Sequence, residues 1–342
     1  MKKQIGLTLG LLLIASPVLA QHLPKAPKFT VTPLVSNQAG KAPVIDPNLV
    51  DAWGLAQGSS TAPVWVSDNG TGLSTVYQQK SGQNVGLVVT IPKGFPTGTV
   101  AVPANLGFPI SENGKNGDAV FLFDSESGVI SGWNSAVDPS NAVVAIDNSA
   151  SGAVYKGLAL DTTSVLLFAA NFSKNQIEVY DGQFHLMTTF TDTSLPKRYA
   201  PFNVAIMNGS VYVTYAERDK TGHDEIDGPG LGYVDVFTEG GTLMKQLVAA
   251  GGPLNAPWGM MIAPSNFGKF ANDLLVGNFG DGWINAFNLS TGAYAGPLST
   301  KKGPIAIDGL WALDPVPSGD ITFSAGPNKE KNGLLGLITV GK

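Results

Sequence analysis

A unit of about fifty residues recurs along this chain, and no other feature restricts its fold so tightly. Five short segments align: Trp53-Gly54-Leu55-Ala56, Lys156-Gly157-Leu158-Ala159, Phe202-Asn203-Val204-Ala205, Trp258-Gly259-Met260-Met261 and Asp308-Gly309-Leu310-Trp311. The first interval is about twice the others, so a divergent unit is expected inside it, starting near Thr97-Gly98-Thr99-Val100. Each start is followed by a hairpin of β-branched and aromatic residues bounded by Gly, Asn, Asp and Pro. These hairpins are 64–77, 119–134, 166–181, 211–238 (with a long insertion), 274–288 and 321–338. Fourth strands are expected at 86–91, 141–146, 185–190, 243–249 and 293–298, and the sixth unit runs out of chain after its third.

Six four-stranded antiparallel units that close on themselves form an all-β, six-bladed β-propeller. A pair of sandwiches does not explain the period, and a β-helix has a shorter one. The otherwise unassigned run 28–36 (KFTVTPLVS) is expected to complete the last blade and close the ring, which removes exposed sheet edges. Glycine suits the start of an inner strand because six strands converge there on one axis. The propeller is expected to span 21–342 as a single domain.

Residues 1–20 read as a Sec-type signal peptide: Lys2 and Lys3, an apolar run from Ile5 to Ile14, and small residues at Val18 and Ala20. That run is too short to span a bilayer. The expectation is a periplasmic or secreted protein, a monomer without a membrane anchor. With no Cys, disulfides, thiolate metal sites and cysteine nucleophiles are excluded. A net charge of −5 leaves no basic face for nucleic acid. Charged residues make up only 14 %, against an ordinary value of about 25 %, which argues against a helical protein.

In an antiparallel blade, the start of the first strand and the turn between the second and third lie at the same end of the sheet. One face of the disc should therefore collect Asp51, Trp53, Lys156, Asn203, Asn255, Trp258 and Asp308 from the inner strands, with Asn69, Asn171 and Asn278 from the turns. That Asp/Asn-rich axial face is the candidate binding surface for a small molecule, glycan or protein. Asp51, Asn203, Asn255 and Asp308 have the oxygen chemistry that Ca²⁺ takes; the plainer reading is that they cap their own turns. The aromatics pack between blades or line a pocket mouth. Lys156 either fixes an anionic ligand or offsets the carboxylates. The insertion 217–232, with Glu217, Asp219, Asp224, Glu225 and Asp227, projects from the same face as a lid and lacks EF-hand spacing.

Of three histidines, only His223 can reach this face, so an axial histidine pair is missing. No G-x-S-x-G elbow is present, and Gly70-Thr71-Gly72 and Gly228-Pro229-Gly230 are turns rather than phosphate loops. A binding module is the leading expectation; a Ca²⁺-dependent hydrolase or lactonase using an Asp base is the alternative.

Several segments carry a resemblance: WGLA (53–56), WVSDNGTGLSTVY (65–77), YKGLAL (155–160), APFNV (200–204), GPGLGYVDVF (228–237), NAPWG (255–259), LLVGNFGDGWINAF (274–287) and DGLWAL (308–313). The chain resembles a family of secreted bacterial proteins of unassigned activity, some ending in a PEP-CTERM sorting anchor. The resemblance implies a six-bladed propeller and export, and it assigns no reaction. This chain ends at TVGK, without such an anchor. More remotely the repeats look like NHL-type and gluconolactonase-like propellers, where Ca²⁺ sits on the axis.

Overall fold

The computed structural model describes residues 28–341; the signal peptide expected at 1–20 lies outside them. The chain is a six-bladed β-propeller of four-stranded antiparallel blades. From the axis outward, blade 1 runs Ala52–Gln57, Val64–Asp68, Leu73–Tyr77, Asn84–Thr90. Blade 2 runs Pro96–Ala101, Phe121–Ser125, Val129–Trp133, Val143–Asp147, which puts the divergent unit where the sequence located it. Blade 3 is Tyr155–Asp161, Leu166–Asn171, Gln176–Asp181, Leu186–Phe190. Blade 4 is Tyr199–Met207, Ser210–Arg218, Tyr233–Phe237, Leu243–Val248. Blade 5 is Pro257–Ile262, Leu274–Asn278, Ile284–Phe287, Tyr294–Pro297. Blade 6 takes Leu310–Pro315, Ile321–Ala325 and Leu334–Val340 from the C-terminus.

Its fourth strand is Phe29–Ser36, paired antiparallel with Leu334–Val340 from Phe29↔Val340 to Ser36↔Leu334. The two ends of the chain thus share one sheet, as the unassigned N-terminal run led us to expect. Val35 and Phe29 are buried in that seam. Asp46, just beyond it, ties the seam to blade 1 by accepting hydrogen bonds from the Tyr77 hydroxyl (2.9 Å) and the Asn84 side-chain amide.

Blades pack face to face, so the middle strands are buried on both faces and mostly apolar; all five residues of Val64–Asp68 are buried. Outer strands meet water on one edge, and Leu186–Thr189 are all exposed. The inner strands crowd around the axis. A Cβ on Gly54 would lie 2.5 Å from the Thr97 carbonyl oxygen, one on Gly98 2.4 Å from the Leu158 nitrogen, and one on Gly259 2.4 Å from the Trp311 carbonyl oxygen.

Blade 6 requires a correction. The inner strands share a bulge, between Ala52 and Leu55, Tyr155 and Leu158, Pro257 and Met260, and Leu310 and Leu313. By that register Trp53-Gly54 matches Trp311-Ala312, not Asp308-Gly309. Gly309 instead belongs with the residues that lead into the inner strands with positive φ: Asp51 (49°), Phe95 (54°), Ala256 (45°) and Gly309 (65°). A three-residue offset therefore removes Asp308 from the ring in which the sequence alignment placed it.

Candidate functional site

The register brings one side chain per blade to the axis: Trp53, Thr97, Lys156, Phe202, Trp258 and Trp311. Four are aromatic, and they pack into a floor across the central channel. Trp53 stacks on Trp311 with ring centroids 3.5 Å apart, and Phe279 stacks on the other face of Trp311 at 4.2 Å. Trp258 meets both Trp53 and Trp311 edge-on at 5.9 Å. The Trp258 indole N–H donates to the Lys156 carbonyl at 2.7 Å, which joins blade 5 to blade 3 across the axis.

Asp51 holds the floor together. Its Oδ2 accepts from the Trp53 indole (2.8 Å) and its Oδ1 from the Trp311 indole (2.9 Å). Burial pushes this carboxyl well above the usual range, helped by Glu330 and opposed by the two indole N–H groups.

Above the floor lies a cavity of about 560 Å³ lined by Asp51, Trp53, Asn69, Phe95, Glu126, Ser127, Lys156, His223, Asp224, Glu225, Phe279 and Glu330. Five carboxyl groups and a single ammonium share it. Lys156 is 2 % exposed; its Nζ hydrogen-bonds Glu126 Oε1 and lies 3.6 Å from Glu225 and 3.8 Å from Asp224. It also sits 5.1 Å above the Trp53 ring. Burial alone lowers a lysine's proton affinity, but Glu126, Glu225 and Asp224 more than reverse this, so Lys156 stays charged. Glu126 Oε2 accepts from Asn69 Nδ2 at 2.9 Å. Glu225 is pushed up by burial, with Lys156 opposing. Glu330 is pushed up to about 7, by burial first and then by Glu225, with Lys156 opposing.

The insertion reaches the pocket because Glu225–Ile226 pairs with Glu217–Arg218, which folds the loop back over the face. That pairing sets His223, Asp224 and Glu225 in the cavity wall.

Of the residues singled out from sequence, Asp51, Trp53, Asn69 and Lys156 line this cavity, and Trp258 lies in its floor. The expected Ca²⁺ shell is not assembled. Asn203 lies beyond the floor, donating to the Trp258 carbonyl at 2.9 Å and lining a separate cavity on the other side. Asn255 accepts from the Gly228 backbone at 2.6 Å, and exposed Asp308 caps the turn at Asn328 at 2.8 Å. Asn171 is buried against Glu178 (2.7 Å), and Asn278 donates to the Pro253 carbonyl (2.9 Å). These amides and Asp308 act as caps and ties, the plainer of their two readings. With only Asp51 in the cavity, its oxygens taken by indoles, these four do not fit Ca²⁺.

Glu126 and Glu330 escaped sequence reading. Glu126 occupies the same turn position in blade 2 as Asn69 in blade 1, but a search for Asp and Asn passes over it. Glu330 carries a backbone signal that sequence does not display: Asn328, Lys329 and Glu330 have successive positive φ of 60°, 55° and 63°.

Fold and site together define a six-bladed propeller with an acidic pocket on its axis. No family model matches the chain. It is 30 % identical over 319 residues to uncharacterized protein R648 of Acanthamoeba polyphaga mimivirus, covering 89 % of this chain and 78 % of that protein. It is 31 % identical over 326 residues to uncharacterized protein L690 of the same virus, covering 91 % and 85 %. The chain belongs to the family of these proteins. These relatives are viral, not the bacterial proteins that the sequence motifs suggested. Among solved structures, one titled "Streptogramin B lyase structure" is similar, with a TM-score of 0.55 and 9 % identity, covering 93 % of this chain and 100 % of that one. At that identity the likeness shows the fold alone.

Proposed function

We propose that this protein is an exported binding propeller whose axial pocket takes a small, positively charged ligand. The observation that carries the reading is the state of Lys156: its ammonium is buried and bonded to carboxylates of the same pocket, so it is spent as a counter-ion. An anion gains little from it, and the remaining carboxyl groups leave the pocket acidic. A cavity with apolar ring faces and a few convergent polar groups is the usual form of a small-molecule site. A thermal-shift panel tests this, because a ligand that binds the folded state raises the melting temperature by mass action. Cations should raise it and matched anions should not. An anion that stabilises the protein, with cations inert, overturns the reading.

A second reading, metal-assisted hydrolysis, has one specific observation behind it. Ligand atoms of Glu126, His223 and Asp224 all lie within 4.8 Å of one another. A nitrogen donor in that set suits Zn²⁺ or Mn²⁺ better than Ca²⁺. The neighbouring Lys156 ammonium opposes a second cation at Glu126. Isothermal titration with Zn²⁺ and Mn²⁺ against His223→Ala decides it: loss of a micromolar site in the variant supports the reading, and no binding to the parent protein removes it.

A further inference from the structure

Glu330 differs from the other four carboxyl groups of the pocket. Asp51 is bonded by two indoles, Glu126 by Lys156 and Asn69, Glu225 faces Lys156, and Asp224 faces Lys156 and His223. Among the described residues the Glu330 carboxyl accepts no side-chain or turn hydrogen bond, and it is only half-buried. It is also held there at a conformational cost. Three successive non-glycine residues, Asn328 to Glu330, sit in the left-handed region. The Glu330 N–H donates to the Gly326 carbonyl at 3.0 Å, the Asn332 N–H to Pro327 at 3.2 Å, and the Asn328 N–H to the Asp308 carboxylate at 2.8 Å. A strained turn pinned at three points, presenting an unbonded carboxyl to a cavity, points to an external partner for that carboxyl.

Glu330 lies outside the Glu126–His223–Asp224 group, so it is not a fourth metal ligand there. The same cavity offers it Phe279, stacked on Trp311, and Phe95, which is 55 % exposed and has positive φ. A carboxylate beside exposed ring faces suits a cation with an apolar body better than a bare ion.

Building on the cationic-ligand reading, we infer that Glu330 is the residue that reads the ligand: it pairs with an organic ammonium or guanidinium group carried on an apolar body. Burial, and then Glu225, push this carboxyl up to about 7. Where it is neutral, pairing with the cation releases its proton to solvent, with no other bond made or broken. The charged groups that face it are Lys156 from blade 3, Glu126 from blade 2, Asp224 and Glu225 from the lid, and Asp51 from blade 1, with His223 in the same wall.

Benzylamine, benzyl alcohol and benzoate, which share a shape and differ in charge, test the inference by NMR titration at pH 6, 7 and 8. Benzylamine should bind about tenfold more tightly at pH 8 than at pH 6, as Glu330 ionises. Glu330→Gln should bind it weakly and without that pH dependence, and Glu330→Asp should keep the dependence. Calorimetry in buffers of different ionisation heat should show proton release that Glu330→Gln abolishes. A parent protein that binds benzylamine equally at all three pH values, or a Glu330→Gln variant that binds like the parent, overturns the inference while leaving a cationic pocket standing. Binding of Zn²⁺ or Mn²⁺ but not benzylamine overturns the organic part. Preference for benzoate removes the cationic reading itself.

Discussion

Lys156→Met isolates the role of the buried ammonium. The substitution keeps the volume of the stem and removes one charge from beneath Glu126 and Glu225, whose side chains are only 12 % and 8 % exposed. Breaking a buried ion pair by removing one partner costs about 3–5 kcal/mol, because the other charge is stranded. Here two acids are stranded, so we expect a loss toward the upper end, about 5 kcal/mol at pH 7.5. Stranded carboxyls escape the penalty by taking up protons. The lost stability should therefore be partly recovered as pH falls to 5. Glu126→Gln added to Lys156→Met should also recover part of it at pH 7.5. Urea unfolding followed by tryptophan fluorescence at both pH values measures each term, with the Trp53–Trp311 stack as the reporter. A Lys156→Met protein as stable as the parent at pH 7.5, with no relative gain at pH 5, would refute the assignment of Lys156 as a spent counter-ion. It would also reopen the pocket to anions.

Three further outcomes follow from the packing. Asp51→Ala leaves the Trp53 and Trp311 indole N–H groups without acceptors; at about 1–3 kcal/mol each, urea midpoints should fall clearly, and an unchanged midpoint would mean that the floor does not depend on this carboxyl. Gly259→Ala places a Cβ 2.4 Å from the Trp311 carbonyl oxygen and should cost about 1–3 kcal/mol, whereas Gly240→Ala, with nothing nearer than 3.8 Å, should be close to neutral by differential scanning calorimetry. Asp235 is buried, faces Asp192, and is pushed up to about 8, first by burial and then by that neighbour. A folded-state value above the unfolded one means stability fully present below the unfolded value of about 4 and lost progressively as pH rises to about 8. Melting temperature should therefore fall between pH 5 and 8, and Asp235→Asn should flatten the fall.

The fold was largely legible because a propeller is written as a period. Each blade needs the same hydrophobic run, the same turn residues and a small residue where inner strands crowd, and those demands repeat about every fifty residues. Even Phe29–Ser36 could be assigned, since the last unit lacked one strand. The site was only partly legible. Trp53, Lys156 and Asp51 stand at repeat positions that point to the axis, and the period found them. Asp308 stood at a position that merely looked equivalent, because Gly309 mimics the inner-strand glycine, whose place in blade 6 is taken by Ala312 three residues later.

Repetition along the chain, together with apolar strands and glycine at the crowded axis, determined the number of blades, their strand order and the way the ring closes, since those follow from local patterns that each unit carries in itself. The make-up of the pocket was decided only in three dimensions. Glu126, Glu225 and Glu330 come from blade 2, the lid of blade 4 and a left-handed turn of blade 6. Nothing in their spacing joins them, and they meet because ring closure brings remote turns onto one face, where a single buried ammonium must answer the charge of all three.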